Sequence, residues 1–222
     1  YHKGNLFLQY LENNFGRETF DYFIGQYFAD FSFQTITSEQ FLDYLDKNLL
    51  IANPGIVSRQ QVEQWLYQPG LPDDAVIPHS DALDAAAVLA QNWSTQAISI
   101  DQVPASQWAP KVVVHFINSL PDDLPHNRLG EIDDALGLSA SVNAEIARTW
   151  FIQVAQRRYE PVYGALEAHL NRFGRTRLVK PVYAALATNG KDLEIARTMF
   201  ANARNLYHPI TIASVEAALK LR

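Results

Sequence analysis

Apolar residues along this chain recur three and four positions apart far more often than they alternate. Leu6, Leu8 and Leu11 open the pattern, and Phe20, Tyr22, Phe23, Tyr27 and Phe28 continue it. That spacing lines one face of a helix. Thr37-Ser38-Glu39-Gln40 predicts a helix start. The threonine hydroxyl accepts from a backbone N–H three residues on, and the glutamine there reaches back to the threonine N–H. Phe41, Leu42, Tyr44 and Leu45 carry the helix onward. Ser58-Arg59-Gln60-Gln61 repeats the device ahead of Val62, Trp65 and Leu66. β-branched residues gather at 97–103 and 111–115, but both stretches adjoin helical patterns, so strand signals are thin.

The periodicity breaks at Gln68-Pro69-Gly70-Leu71-Pro72-Asp73-Asp74 and stays broken to Pro78. Prolines and glycine at this density do not continue a helix. About eight further helices are expected downstream, joined by short connections. Pro161, Pro181 and Pro209 each precede an apolar helical pattern, and a first-turn proline gives up an N–H that has no partner anyway. Pro161-Val162-Tyr163-Gly164-Ala165-Leu166 returns as Pro181-Val182-Tyr183-Ala184-Ala185-Leu186, twenty residues on. The pattern predicts an all-α chain, with its helices stacked antiparallel in an armadillo-like right-handed superhelix.

The composition narrows the function classes. Hydrophobic residues make up 48% of the 222 positions and charged residues 19%, enough apolar material for a substantial core. The formal net charge of −6 excludes a broadly basic nucleic-acid surface. With no cysteine, the chain has no disulfide, thiolate metal site or cysteine nucleophile. No apolar run reaches the roughly 18 residues of a membrane span. The chain begins at Tyr1 without a methionine, so residues upstream of it are expected.

A self-contained active site is not visible. The six histidines, His2, His79, His115, His126, His169 and His208, form no His-Glu-x-x-His pattern and no pair at metal-ligand spacing. His115 lies in an apolar stretch and reads as a hydrogen-bonded interior residue. The tryptophans, Trp65, Trp93, Trp108 and Trp150, fall at helical positions and read as core. The segment 172–180 stands out, because it places Arg172, Arg175, Arg177 and Lys180 close together in an acidic chain. Gly174 reads as the cap closing one helix and Pro181 as the opening of the next, which puts Arg175 and Arg177 at a helix start. That end of a helix already carries partial positive charge, so cations there are mildly unfavourable. An anion held between the guanidinium forks would explain them. Pairing with surface glutamates, or simple exposure to water, is the open alternative.

Tyr1-His2-Lys3-Gly4, with the aromatic helix through Tyr10-Leu11-Glu12, resembles the Tyr-Glu-Lys-Gly segment of thermolysin-like zinc aminopeptidases related to aminopeptidase N. The resemblance is closest to leukotriene A(4) hydrolase and its bacterial relatives. Phe31-Ser32-Phe33-Gln34-Thr35-Ile36-Thr37 is similar to the segment that follows in that subfamily. Trp65-Leu66-Tyr67-Gln68-Pro69-Gly70-Leu71-Pro72 is similar to its Trp-Leu-Tyr-x-Pro-Gly-Leu-Pro. Gly174-Arg175-Thr176-Arg177 and His208-Pro209-Ile210-Thr211 resemble its Gly-Arg-x-Lys and His-Pro-Val-Thr stretches. These segments span the chain in order, and the Trp-to-Pro octet is the most specific of them.

The resemblance implies a C-terminal portion of a zinc aminopeptidase acting on short peptides. Residues 1–68 would be the last helices of the catalytic domain, 69–80 a proline-rich linker and 81–222 the helical C-terminal domain. Tyr1 matches the tyrosine that hydrogen-bonds the tetrahedral intermediate. Arg175 matches the arginine that holds the substrate's free carboxylate, and Arg177 the lysine beside it. Arg177 and His2 depart from the family's lysine and glutamate. The zinc ligands and general base would lie upstream, so the expected cofactor is zinc in the parent enzyme, with none bound by this chain. The chain alone is expected to be inactive. Its expected partners are the upstream catalytic domain and short peptides, with no nucleic acid and no membrane, in a monomeric and cytoplasmic whole enzyme (a periplasmic one is the alternative). The competing expectation is a non-catalytic helical-repeat scaffold. A start at Tyr1 inside the catalytic domain would leave an apolar face exposed around Tyr10, Phe20 and Tyr27 unless the missing domain covers it.

Overall fold

The computed structural model describes residues 1–188 and 190–221. The chain divides into two compact units, Tyr1–His79 and Ser80–Arg222. Among the described residues it is helical throughout, with no strand.

The first unit holds α1 (His2–Phe15), α2 (Arg17–Asp30), α3 (Ser38–Leu45), which runs into a π turn at Asp46–Leu50, and α4 (Arg59–Tyr67). Gly16 alone joins α1 to α2 at φ 80, a left-handed corner that side chains rarely adopt. Both expected capping boxes form. Thr37 and Gln40 exchange hydrogen bonds ahead of α3, and Ser58 and Gln61 do so ahead of α4. The core gathers Leu11, Leu45, Leu49 and Val62 with Phe23 and Trp65. The Trp65 ring lies against Phe7 and Tyr10, with centroids 5.8 and 5.4 Å away. The exposed face expected around Tyr10, Phe20 and Tyr27 is a misreading, because Tyr10 and Phe20 are buried in this core and Tyr27 is half-buried against Phe41 and Tyr44. Aromatic residues left in solvent include Tyr1, Tyr22, Phe28, Phe33 and Tyr67. Helical spacing does not tell which side of α2 its neighbours cover; Phe20 and Phe23 join the common core, where the Phe23 ring lies 5.9 Å from Tyr44 of α3.

The second unit holds α5 (Asp81–Ser94), α6 (Pro110–Asn118), α7 (His126–Leu136), α8 (Ala144–Gln156), α9 (Tyr163–Arg172), α10 (Thr176–Ala187), α11 (Gly190–Ala203) and α12 (Pro209–Ala218). Helices α5, α6, α8, α10 and α12 pack each on the next, while α9 lies against α8 and α11 against both α9 and α10. Two rows result, with Trp93, Phe116, Trp150, Phe151 and Tyr183 fully buried. The repeated hexapeptide buries the same positions in both copies, Tyr163 with Leu166 and Tyr183 with Leu186.

Several local expectations need correction. Pro181 does not open a helix but lies inside α10. The buried stripe Leu178, Val179, Val182, Tyr183 and Leu186 begins before the proline, and its packing outweighs the one N–H that Pro181 withholds from the Arg177 carbonyl. Pro161 belongs to a short 3-10 turn, Glu160–Val162, just ahead of α9, and Pro209 does open α12. Helix α9 ends with Phe173 rather than Gly174 as its cap. Trp108 precedes α6 and is only half-buried, its ring 5.4 Å from Phe116. His115 is half-buried on α6 rather than interior.

Candidate functional site

Three helices of the second unit have their first turns tied together, and the basic segment lies at the middle one. Helix α8 starts after Asn143, whose side-chain oxygen accepts the N–H groups of Glu145 and Ile146 at 3.0 and 3.4 Å. Helix α12 starts after His208, whose Nδ1 accepts the Ile210 N–H at 3.2 Å. Between them, α10 starts after Arg175, which sits at the N-cap with extended backbone and no side-chain cap hydrogen bond. An arginine has no acceptor, so it cannot do there what Asn143 and His208 do for their helices. The Leu178 N–H turns back to the Arg175 carbonyl at 2.8 Å, and the Thr176 and Arg177 N–H groups with the guanidinium form a set of donors that an anion would complete.

The links between these starts are specific. The Thr176 and Thr211 hydroxyls share a hydrogen bond of 2.7 Å, joining α10 to α12. Arg177 Nη2 donates to Glu145 Oε1, joining α10 to α8. Arg148 lies 3.3 Å from the other oxygen of the same carboxylate. Gly174 sets the height of the loop, since a Cβ there would stand 2.9 Å from the Leu206 carbonyl oxygen and 3.5 Å from the Tyr207 ring. Tyr207 is fixed in turn, its hydroxyl donating to the Leu170 carbonyl at 2.8 Å and lying 3.2 Å from the Tyr183 hydroxyl.

Beneath the loop, His169 is buried between Phe151 and Phe173, with ring centroids 5.3 and 4.9 Å away. Burial holds its imidazole below the usual histidine range. Arg172 and Arg148 add to the effect against a backbone hydrogen bond at Leu178, so the ring is neutral near pH 7. The Arg172 guanidinium lies 5.3 Å from the centre of the Phe173 ring.

The structure therefore places the two predicted arginines at one helix start but in different states. Arg175 is exposed and its guanidinium makes no hydrogen bond or ion pair among the described residues, while its carbonyl accepts the Leu178 and Val179 N–H groups. Arg177 is engaged by Glu145, so for it the surface-glutamate alternative describes the resting state. Tyr1 belongs to the other unit. It caps α1 through its carbonyl, which accepts the Asn5 N–H at 3.0 Å, while its ring is fully exposed. Glu145, Thr211 and the Leu206 carbonyl escaped the reading of the sequence, since each lies some 30 positions from the residue it meets. Among the described residues no three His, Cys, Asp or Glu side chains converge to hold a metal ion, and no helix is long and apolar enough to cross a membrane.

This helical stack belongs to the family of leukotriene A4 hydrolase C-terminal domains: the family model "Leukotriene A4 hydrolase, C-terminal" matches residues 108–219. Among curated proteins, leucine aminopeptidase 2 of Emericella nidulans is 30% identical over 232 residues, covering 99% of this chain and 36% of that protein. Leucine aminopeptidase 2 of Ajellomyces capsulatus is 28% identical over 231 residues, with 99% and 36% covered. Among solved structures, native yeast LTA4 hydrolase superposes with a TM-score of 0.73 at 25% identity, covering 98% of this chain and 38% of that one. The chain thus spans little more than a third of the length of these relatives.

Proposed function

We propose that this chain is the C-terminal part of a zinc aminopeptidase that removes N-terminal residues from short peptides, and that it supplies the groups holding the peptide's free C-terminal carboxylate. The observation that carries the proposal is Arg175. It is an unpaired guanidinium at the N-cap of α10, where a carboxylate would accept both its fork and the first-turn N–H groups. The names of the curated relatives support the peptidase reading, as does the order of matching segments along the chain. Arg177 stands beside Arg175 as the neighbouring cation, held by Glu145. Tyr1, with its exposed phenol, is assigned the hydrogen bond to the developing oxyanion of the tetrahedral intermediate.

The residues described here do not form a zinc site. The zinc and its ligands are assigned to the remainder of the parent protein, no step is routed through them, and the chain by itself is proposed to be inactive. In the whole protein, Arg175→Ala should lower kcat/KM for free-acid tripeptides by roughly 10- to 100-fold, the worth of a charged hydrogen bond. The corresponding tripeptide amides should change little. Equal kcat/KM for the free acids in the variant and the natural protein would sink the assignment.

A further inference from the structure

Five cations belong to the segment around the start of α10: Arg148 on α8, Arg172 at the end of α9, and Arg175, Arg177 and Lys180. Glu145 is the carboxylate placed among them. It lies in the first turn of α8, where the helix dipole favours a negative charge. Its two oxygens take one arginine each, Arg177 on Oε1 and Arg148 on Oε2. Its side chain is only 28% exposed and those of Arg177 and Arg148 are 58% and 23% exposed, so its contacts are made at the rim of the stack rather than in open solvent.

On the reading that Arg175 holds a peptide carboxylate, we infer that Glu145 determines how much negative charge the site accepts. With Arg177 and Arg148 held by Glu145 and Arg172 over the Phe173 ring, Arg175 is the guanidinium left at the N-cap for one carboxylate, and a peptide ending in alanine fits that balance. A peptide ending in aspartate or glutamate brings a second carboxylate towards α10. There it meets Glu145 on the cation that would otherwise receive it. Glu145 is thus a specificity-determining residue that keeps Arg177 in reserve and rejects acidic C-terminal residues. It need not touch the substrate.

The test uses the whole parent enzyme and measures kcat/KM for matched tripeptides ending in alanine, in glutamate and in alaninamide. Glu145→Gln keeps the shape of the side chain while removing its charge and releasing Arg177. The glutamate-to-alanine ratio should rise by about two- to fivefold, the worth of a partly exposed charge pair, and fall back as salt is added. Glu145→Gln/Arg177→Gln, with neither charge present, should return that ratio to the natural value. An unchanged ratio in Glu145→Gln would overturn the role of Glu145. So would a double variant whose ratio stays away from the natural value, a comparison that stands even where Glu145→Gln alone folds poorly. Arg175→Ala, run alongside, separates the two readings. If it abolishes the acid-over-amide preference while Glu145→Gln changes nothing, only Glu145 is misassigned. If it has no effect, the carboxylate site itself is refuted.

Discussion

Adding a single methyl group at Gly174 should damage both the stability of the helical stack and its carboxylate site. The new Cβ would stand 2.9 Å from the backbone oxygen of Leu206, where ordinary contact begins at 3.4 Å, so loop and chain must part by about 0.5 Å (3.4 − 2.9). The opposing atom is main chain rather than the end of a flexible side chain, and Tyr207 beside it is pinned by hydrogen bonds to Leu170 and Tyr183. Overpacking of this kind costs about 1–3 kcal/mol. In a unit of this size that lowers the melting temperature by roughly 3–10 °C. The displaced residue is the immediate neighbour of Arg175, so the acid-over-amide preference in tripeptide hydrolysis should fall as well. Calorimetry and paired kinetics on Gly174→Ala would measure both. Gly25→Ala, in the middle of α2 with nothing within 4 Å, should move the other way, by up to about 1 kcal/mol of helix propensity. If Gly174→Ala melted with the natural protein and kept its preference, the close approach of the loop to Leu206 would be refuted.

Other outcomes follow from buried polar groups. Asp192 is fully buried, and Arg158 Nε donates to it at 2.9 Å. Arg158→Ala should therefore destabilise the second unit, and adding Asp192→Asn should restore part of the loss; equal melting temperatures for the single and double variants would argue against the pair. Burial pushes the phenols of Tyr10, Tyr163 and Tyr207 up to about 12, with Asp74 and Asp192 adding to the effect on the first two. The folded chain keeps these protons while the unfolded chain releases them near 10, so their contribution to stability is complete below pH 10 and is lost as the pH rises towards 12. Near-ultraviolet absorbance should show these phenolates appearing together with unfolding. A smooth titration of all ten tyrosines near their ordinary value, with the helices intact, would contradict the burial.

The helices were legible because their signals are local. Thr37 with Gln40 and Ser58 with Gln61 fix two starts within four residues each, and the structure forms both boxes. Pro181 misled because proline marks only a position where an N–H is dispensable. Five buried apolar side chains decided that α10 begins earlier. Exposure on α2 was illegible for a related reason, since periodicity defines a face without naming what covers it. Charge and position marked Arg175 and Arg177 together, and the family resemblance alone singled out Arg175. The state of Arg177 could not be read, because Glu145 lies 32 residues away and nothing near it in the chain marks it as a partner.

The backstop behind Gly174 ties the cation site to the last part of the chain. Among the described residues, none after Ala203 forms an ion pair with the cations at the start of α10. Yet Leu206 sets the height of the loop, Tyr207 locks it to α9, and Thr211 fastens Thr176. A stop codon or a proteolytic nick just beyond α11 would therefore spare every arginine of the site and still dismantle it. Loss of the final helix would be read in kinetics as a binding defect, although its residues stand behind the site rather than in it.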